Sequence, residues 1–212
     1  MNEYHKINTI YKRDMTKNGK IIEGEYSCPE FEYLKDNKWT ATEKVDGTNI
    51  RVMWNGKSVV FGGKTDSASI PVFLLYKLQE LFEGNKKELF KEKFGEEGNV
   101  CLYGEGYGNK IQKAGKDYIS DGTDFVLFDV KIGELWLQRE DVEDIADFFG
   151  IKVVPIIGEF TLDEAVEKVK QGFNSQWGDF TAEGLVLKPK TELLDRRAYR
   201  IITKIKYRDF NN

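Results

Sequence analysis

Hydrophobic and polar residues alternate along much of this chain, and the period lengthens from two to about 3.6 in a few bounded stretches. Between Trp39 and Lys64 the pattern is strand-like: Ile50-Arg51-Val52-Met53-Trp54 alternates, Asn55-Gly56 is a two-residue hairpin signal, and Ser58-Val59-Val60-Phe61 returns. From Pro71 to Phe82 the apolar residues fall at helical spacing, with proline in the first turn and Gly84 as the stop. Val100-Cys101-Leu102-Tyr103 reads as a strand. Phe125–Val130 reads as another, turning through Lys131-Ile132-Gly133 to pair with Leu135-Trp136-Leu137. Glu140–Phe149 has the spacing of a short helix closed by Gly150, and Ile151–Ile157 that of a strand. Thr161-Leu162-Asp163-Glu164 is a capping box that opens a helix to about Gln171, and Gly184–Lys188 and Arg200–Tyr207 are the last strands. Short hairpins with three helices between them predict an α+β fold of mainly antiparallel sheets.

Composition narrows what such a chain does. Its 212 residues are enough to bury a sizeable core, and 40% hydrophobic with 32% charged residues is a globular balance. Four scattered prolines, no repeat and no low-complexity linker point to one domain over residues 1–212. No apolar run is as long as a membrane span, and the opening MNEYHKINTIYKRD has no apolar core behind its charges, so neither a membrane partner nor a secretory signal is expected. Cys28 and Cys101 are too few for a disulfide framework, and a lone His5 excludes a histidine-based triad elsewhere. Two reduced thiols fit the cytoplasm, and a monomer there is the expectation. A net charge of −4 argues against non-specific coating of nucleic acid. Yet Lys188–Arg208 holds eight Lys or Arg against Glu192 and Asp195, a stretch able to meet a polyanion locally.

Several short constellations carry the polar groups that chemistry needs. In Glu43-Lys44-Val45-Asp46-Gly47-Thr48-Asn49 a lysine at a strand end precedes a tight Asp-Gly turn. An amine becomes a nucleophile only where desolvation or a nearby cation favours its neutral form. Tyr103-Gly104-Glu105-Gly106-Tyr107-Gly108 sets a carboxylate between glycines, either a ligand cradle or a glycine-rich strand exit. Phe125-Val126-Leu127-Phe128-Asp129-Val130 reads as a core strand with an acid near its end, and Glu183-Gly184-Leu185-Val186-Leu187-Lys188 frames an apolar strand with acid and base. Lys204-Ile205-Lys206 puts two ammonium groups on one strand face, the arrangement that grips a phosphate. Phe61-Gly62-Gly63-Lys64-Thr65 lacks the upstream glycine of a P-loop, because Lys57–Val60 is strand-like. Each motif alone also fits an ordinary strand end or turn.

Taken in order, the motifs resemble the nucleotidyltransferase signature of ATP-dependent RNA and DNA ligases and mRNA-capping enzymes, from about Trp39 to Lys206 and, more faintly, in the N-terminal arm from Tyr4 to Glu25. The Thr48-Asn49 ending is most similar to the double-strand RNA-ligase type found in phages, which implies the host cytoplasm for a phage-encoded chain. The resemblance implies an α+β nucleotidyltransferase (adenylyltransferase) domain, with antiparallel sheets, flanking helices and an ATP cleft between the sheets. It implies Lys44 as the catalytic nucleophile that takes AMP from ATP. Glu43, Asn49, Lys64, Glu105, Phe128, Lys188, Lys204 and Lys206 would bind the nucleotide, and Glu183 and Asp129 would serve Mg²⁺ or Mn²⁺. In that scheme Glu105 accepts from the ribose hydroxyls, Phe128 stacks on adenine, and Asn49 orders a metal-bound water or a phosphate oxygen. The implied partner is nucleic acid with 5′-phosphate and 3′-hydroxyl ends, RNA in a nicked duplex. Lys64 departs from the family, in which many members carry arginine. Three rival readings stay open: a DNA ligase, a GTP-using capping guanylyltransferase, and a non-catalytic nucleotide-binding module. The sequence runs only six residues past Lys206. The expectation is therefore no C-terminal accessory domain, and self-adenylylation that outruns end joining.

Overall fold

A computed structural model describes residues 3–211. Among the described residues the chain forms β1 (Asn8–Thr9), β2 (Tyr11–Asp14), β3 (Lys20–Tyr26), α1 (Pro29–Tyr33), β4 (Trp39–Glu43), β5 (Thr48–Trp54) and β6 (Val59–Gly62). It continues through α2 (Val72–Phe82), α3 (Lys87–Phe94), β7 (Val100–Gly108), α4 (Gly115–Tyr118), β8 (Thr123–Ile132) and β9 (Leu135–Trp136). The last elements are α5 (Arg139–Phe149), β10 (Lys152–Val153), β11 (Ile156–Phe160), α6 (Leu162–Gln171), β12 (Gly184–Pro189) and β13 (Thr203–Lys206). The architecture is α+β, and apart from the pairs β1–β13 and β10–β8 its strands pair antiparallel.

The chain divides into two compact units: the first holds Asp46–Val154 with the residues up to Tyr4, and the second holds His5–Val45 with the chain from Pro155 onward. The first unit is a sheet in the order β10-β8-β7-β5-β6, with β9 on β8. Period-two residues Ile50, Val52 and Trp54 of β5 face Leu74, Leu78 and Phe82 of α2 and Val142, Ile145 and Phe149 of α5. Burying each such side chain contributes roughly 1.5–3 kcal/mol, which holds both helices on the sheet. The second unit is a sheet in the order β1-β13-β12-β4-β11. Trp39 and Ala41 of β4, Leu185 and Leu187 of β12 and Ile205 of β13 pack with Leu162, Ala165, Val166 and Val169 of α6. The capping box forms as expected: Thr161 Oγ1 accepts the Glu164 N–H at 3.3 Å, and Glu164 accepts the Thr161 N–H at 2.7 Å.

Several boundaries differ from the sequence expectation. The expected strand Ile151–Ile157 is two strands in two sheets, because Pro155 has no N–H to continue a ladder. Before it, Val154 N–H donates to Leu127 O at 2.9 Å in the first unit; after it, Ile156 pairs with Thr42 in the second. The last strand begins at Thr203 rather than Arg200, since Arg200 bridges back to Leu194 and Ile201 N–H donates to Leu193 O at 2.9 Å. The strand expected over Val100–Tyr103 runs on to Gly108, so the glycine motif lies within it. Among the described residues there are six α-helices where three were expected. Of these, α3 buries only Phe90 fully, too little to set a clear period, while α1 and α4 are single turns.

Candidate active site

Strand alternation in the second unit sorts the candidate residues by face. Along β4, Trp39, Ala41 and Glu43 are buried, whereas Thr40 and Thr42 are half-exposed on the other face, which Lys44 continues beyond the strand end. Cross-strand register extends that face. Lys44 N–H donates to Gly184 O at 3.0 Å, and Gly184 pairs with Lys206. Thr42 opposes Val186, which opposes Lys204, and Thr40 opposes Lys188. Lys44, Lys188, Lys204 and Lys206 therefore share one face. Lys44 Nζ donates to Glu183 Oε2 at 2.6 Å and Lys206 Nζ lies 2.8 Å from Glu183 Oε1, so two ammonium groups share one carboxylate. An arriving phosphate would compete with Glu183 for both cations, and charge-assisted bonds in such a shielded place are strong. A side chain at Gly184 would put its Cβ 1.9 Å from Ile205 O, so the junction of these strands requires glycine.

Glu43 is placed otherwise. Its carboxylate is 1% exposed on the core face, where Ser175 Oγ donates to it at 2.5 Å and the Gln176 N–H at 2.8 Å. Burial pushes this carboxyl above its usual range, and the two hydrogen bonds oppose that rise. The structure thus brings Glu43 to the segment before β12 and not to the lysine face; period-two alternation separates it from its neighbour Lys44.

The chain enters the first unit at Asp46, whose N–H donates to Tyr118 Oη at 3.1 Å. Gln112 Nε2 donates to Gly47 O at 3.0 Å. A Cβ on Gly47 would stand 2.3 Å from Gly106 O and 2.7 Å from Glu105 Cγ, so the glycine lets the turn close on the Glu105 strand. Asn49 lies directly opposite Glu105 on β7. The Asn49 Oδ1 atom is buried and has no hydrogen-bond partner among the described residues, an acceptor that a donor-bearing ligand would satisfy.

Phe128 owes its position to a bulge. The β7–β8 register slips between Tyr103, opposite Asp129, and Gly104, opposite Leu127, which leaves Phe128 as the extra residue. Leu127 and Val130 both enter the core, and Asp129 stays opposite Tyr103 and turned away from that core. Strict alternation would have driven Asp129 into the apolar side. Tyr4, whose polar and aperiodic surroundings carry no sequence signal, packs here. Its ring lies 5.1 Å from Phe128, 5.2 Å from Tyr103 and 5.7 Å from Trp136, and its hydroxyl donates to Asp129. Asp129 is 1% exposed.

A second residue missed from the sequence supports Lys64. Arg51, 1% exposed on β5, donates through Nε to Gly63 O at 2.9 Å and through its Nη2 to Asp66 at 2.7 Å. It underlies the Gly62-Gly63 turn that carries the exposed Lys64, and its signal is a charge inside the apolar run Ile50–Trp54. Glu183 and Asp129, the carboxylates expected to serve a metal, belong to different units. Among the described residues no group of three or more His, Cys, Asp or Glu is set to hold an ion. A hydrated Mg²⁺ needs as few as one carboxylate and completes its shell with waters and phosphate oxygens, so each unit's carboxylate is a candidate by itself.

The family model described as RNA ligase matches residues 37–206. No curated protein matches the chain. An RNA ligase of Naegleria gruberi, solved as an apo mutant, superposes with a TM-score of 0.64 at 18% identity over 100% of this chain and 59% of that one. Another mutant of that ligase, with ATP and Mn, gives 0.64 and 18% over 87% of this chain and 54% of its own. An archaeal ATP-dependent RNA ligase gives 0.64 and 17% over 99% and 49%. The chain spans about half to three-fifths of the length of these solved chains.

Proposed function

Since this chain belongs to the RNA ligase family, we propose that it is an ATP-dependent RNA ligase working through a lysyl–AMP intermediate on Lys44. The observation that carries the reading is the lysine face of the second unit, where Lys44 and Lys206 converge on Glu183. In the first step Lys44 leaves Glu183, its ammonium gives one proton to solvent, and the freed Nζ lone pair attacks the α-phosphorus of ATP. A nitrogen–phosphorus bond forms, the bond to the bridging oxygen of pyrophosphate breaks, and the displaced amine proton goes to solvent. AMP then passes to the 5′-phosphate of an RNA end, which frees Lys44. A 3′-hydroxyl attacks that activated phosphate, expels AMP and leaves a phosphodiester.

Most of this chemistry is positioning and charge stabilisation, which cations supply. Lys188, Lys204 and Lys206 take phosphate oxygens, and Lys64 adds a further phosphate contact from its Arg51-braced turn. Glu105 accepts from the ribose hydroxyls, Phe128 stacks on the base, and Asn49 meets a ligand donor with its buried Oδ1. A divalent ion neutralises phosphate charge when bound, and Glu183 and Asp129 would hold it. An RNA ligase of the same fold has been solved with ATP and Mn, which supports ATP as the nucleotide. The same reading assigns nicked RNA duplex as substrate, a monomer as the working form and the cytoplasm as its place.

Incubation with labelled ATP and Mg²⁺ or Mn²⁺ should place one AMP on Lys44, located by peptide mass, with none on Lys44→Ala. GTP should give no adduct. A native protein left unlabelled with both metals refutes the proposal, and a GMP adduct would reassign the chain to capping chemistry. A panel of nicked RNA, DNA and hybrid duplexes then reads the substrate directly.

A further inference from the structure

The basic stretch that ends the sequence contains a feature that nucleotide chemistry does not use. Between β12 and β13 the chain makes an ordered hairpin, closed by the Leu194–Arg200 bridge. Asp195 builds its tip: the carboxylate accepts the Arg197 N–H at 2.8 Å and the Tyr199 N–H at 2.9 Å, and the Asp195 N–H donates to Tyr199 O at 2.7 Å. Those bonds, the one from Tyr199 first, hold the Asp195 carboxyl below its usual range. They also hold Ala198 in the left-handed region at φ 61°, a conformation that a side-chain-bearing residue keeps only where its surroundings fix it.

What the tip presents is unusual for a surface turn. Arg196 and Arg197 are exposed, Leu194 is 58% exposed and Tyr199 is 54% exposed, with the Arg197 guanidinium 5.4 Å above the Tyr199 ring. The hairpin joins the two strands that carry Lys188, Lys204 and Lys206, so one basic stretch runs from the lysine face to the tip. Lys188–Arg208 is net +6 (eight Lys or Arg less Glu192 and Asp195) in a chain of net −4. An Arg197 guanidinium held between Asp195 Oδ2, 3.2 Å from its Nη2, and the exposed Tyr199 ring, with the exposed Arg196 beside it, suits a strand of phosphates and unstacked bases, with the cations on phosphate and the ring on a base. An acidic protein surface would use the cations and leave the ring idle.

We propose that the 191–200 hairpin is an RNA-strand grip, in which Arg196 and Arg197 hold backbone phosphates and Tyr199 stacks on a base. The proposal rests on the RNA-ligase reading for its choice of polymer, and its test separates the two. Affinity for a 5′-phosphorylated single-stranded RNA is measured by fluorescence anisotropy across a salt series, in parallel with ATP labelling of Lys44. The double variant R196A/R197A should bind ~10-fold more weakly near 0.1 M salt. Its slope of log affinity against log salt should flatten by about 1.4, since each lost single-strand phosphate contact removes about 0.7. Tyr199→Ala should lose ~10-fold with the salt slope unchanged, because stacking carries no counterion release, and Tyr199→Phe should retain affinity. Lys44 labelling should match the native rate in all three, and their urea midpoints should stay at the native value, since the tip buries little.

Native affinity and native slope in R196A/R197A and Tyr199→Ala, with Lys44 labelled normally, overturn the grip. A polyglutamate peptide that binds as tightly as the RNA, with the same dependence on Tyr199, also overturns it by reassigning the face to acidic protein. If native protein takes no label from ATP, the ligase reading fails, while anisotropy still reports on the hairpin by itself.

Discussion

Replacing Glu43 with alanine and, separately, with glutamine isolates two consequences of burying a carboxylate beneath the strand that ends at Lys44. Alanine removes both hydrogen bonds, at 2.5 Å from Ser175 Oγ and 2.8 Å from the Gln176 N–H, and leaves a buried hydroxyl and an amide short of an acceptor. At ~1–3 kcal/mol for each orphaned group, the loss is about 2–6 kcal/mol, a large share of a typical domain's stability. Glutamine keeps a carbonyl acceptor and offers an amide that the rotatable Ser175 hydroxyl can accept from, so its cost at neutral pH should stay within about 1 kcal/mol. The pH dependence has a definite sign. Burial, the largest influence, holds the folded-state Glu43 carboxyl above its unfolded value of 4.5. Between those two values the native protein binds more protons than the unfolded chain, so the stability supplied by protonated Glu43 is full below 4.5 and is lost as pH rises through the folded value. Glutamine does not titrate. Urea unfolding of both proteins at unit steps from pH 4 to 8 should therefore show Glu43→Gln gaining on the native protein as pH rises. A difference that stays constant, or that shrinks with rising pH, refutes the reasoning.

Three further changes probe the elements around the candidate residues. Gly47→Ala sets a Cβ 2.3 Å from Gly106 O; the backbone must yield at ~1–3 kcal/mol, read by urea unfolding, and displacement of Glu105 should raise the KM for ATP in the labelling reaction. Tyr4→Phe keeps the ring contacts and deletes the hydroxyl's bond to the buried Asp129, costing ~1–3 kcal/mol in unfolding, whereas Tyr4→Ala should cost more; equal effects of the two would show that the ring contacts contribute nothing, and native stability in Tyr4→Phe that the hydroxyl contributes nothing. Arg51→Lys keeps the charge but loses the fork that reaches Gly63 O and Asp66 together, so amide exchange over residues 62–66 should accelerate and ATP affinity fall ~10-fold; slow exchange with native affinity would remove Arg51 from any positioning role.

Period-two alternation made much of the second unit legible. The spacing of Lys204 and Lys206 already placed both on one face, and the capping box at Thr161 placed the start of α6 to the residue. The first unit was harder to read, for physical reasons. A bulge inserts one residue without marking itself in composition, so Phe125–Val130 looked like an uninterrupted core strand although Phe128 is the extra residue and packs with Tyr4 beside Asp129. Pro155 was visible as a residue, but its consequence, two strands entering two different sheets, depends on which partners are available on either side. Tyr4 and Arg51 act through contacts more than ten positions away in the sequence, with Asp129 and with Asp66, and no local period encodes such contacts. Glu43 shows the opposite failure: a family motif groups it with Lys44, and strand geometry sends the two to opposite faces.

That last separation bears on how the protein can change. On β4, β12 and β13 the inward residues Ala41, Leu185, Leu187 and Ile205 pack the core of the second unit with Glu43 buried beside them, and the lysines Lys44, just past β4, Lys204 and Lys206 lie on the outward face with Thr42 and Val186. A substitution on the outward face removes a cation without opening a cavity, so Lys204→Ala and Lys206→Ala should unfold near the native urea midpoint whatever they do to phosphate binding. A substitution on the inward face disturbs packing first and the lysine row second, through the strand that both share. Glu43 and Lys44 test this most sharply, since they are adjacent in sequence. Losing the Lys44 amine should abolish adduct formation in a folded protein, and losing the Glu43 carboxylate should destabilise the fold while the residual folded fraction still takes AMP. If Glu43→Ala instead left stability intact and removed the adduct, the division of labour between the two faces would be wrong, and the family grouping of Glu43 with the nucleotide would be right.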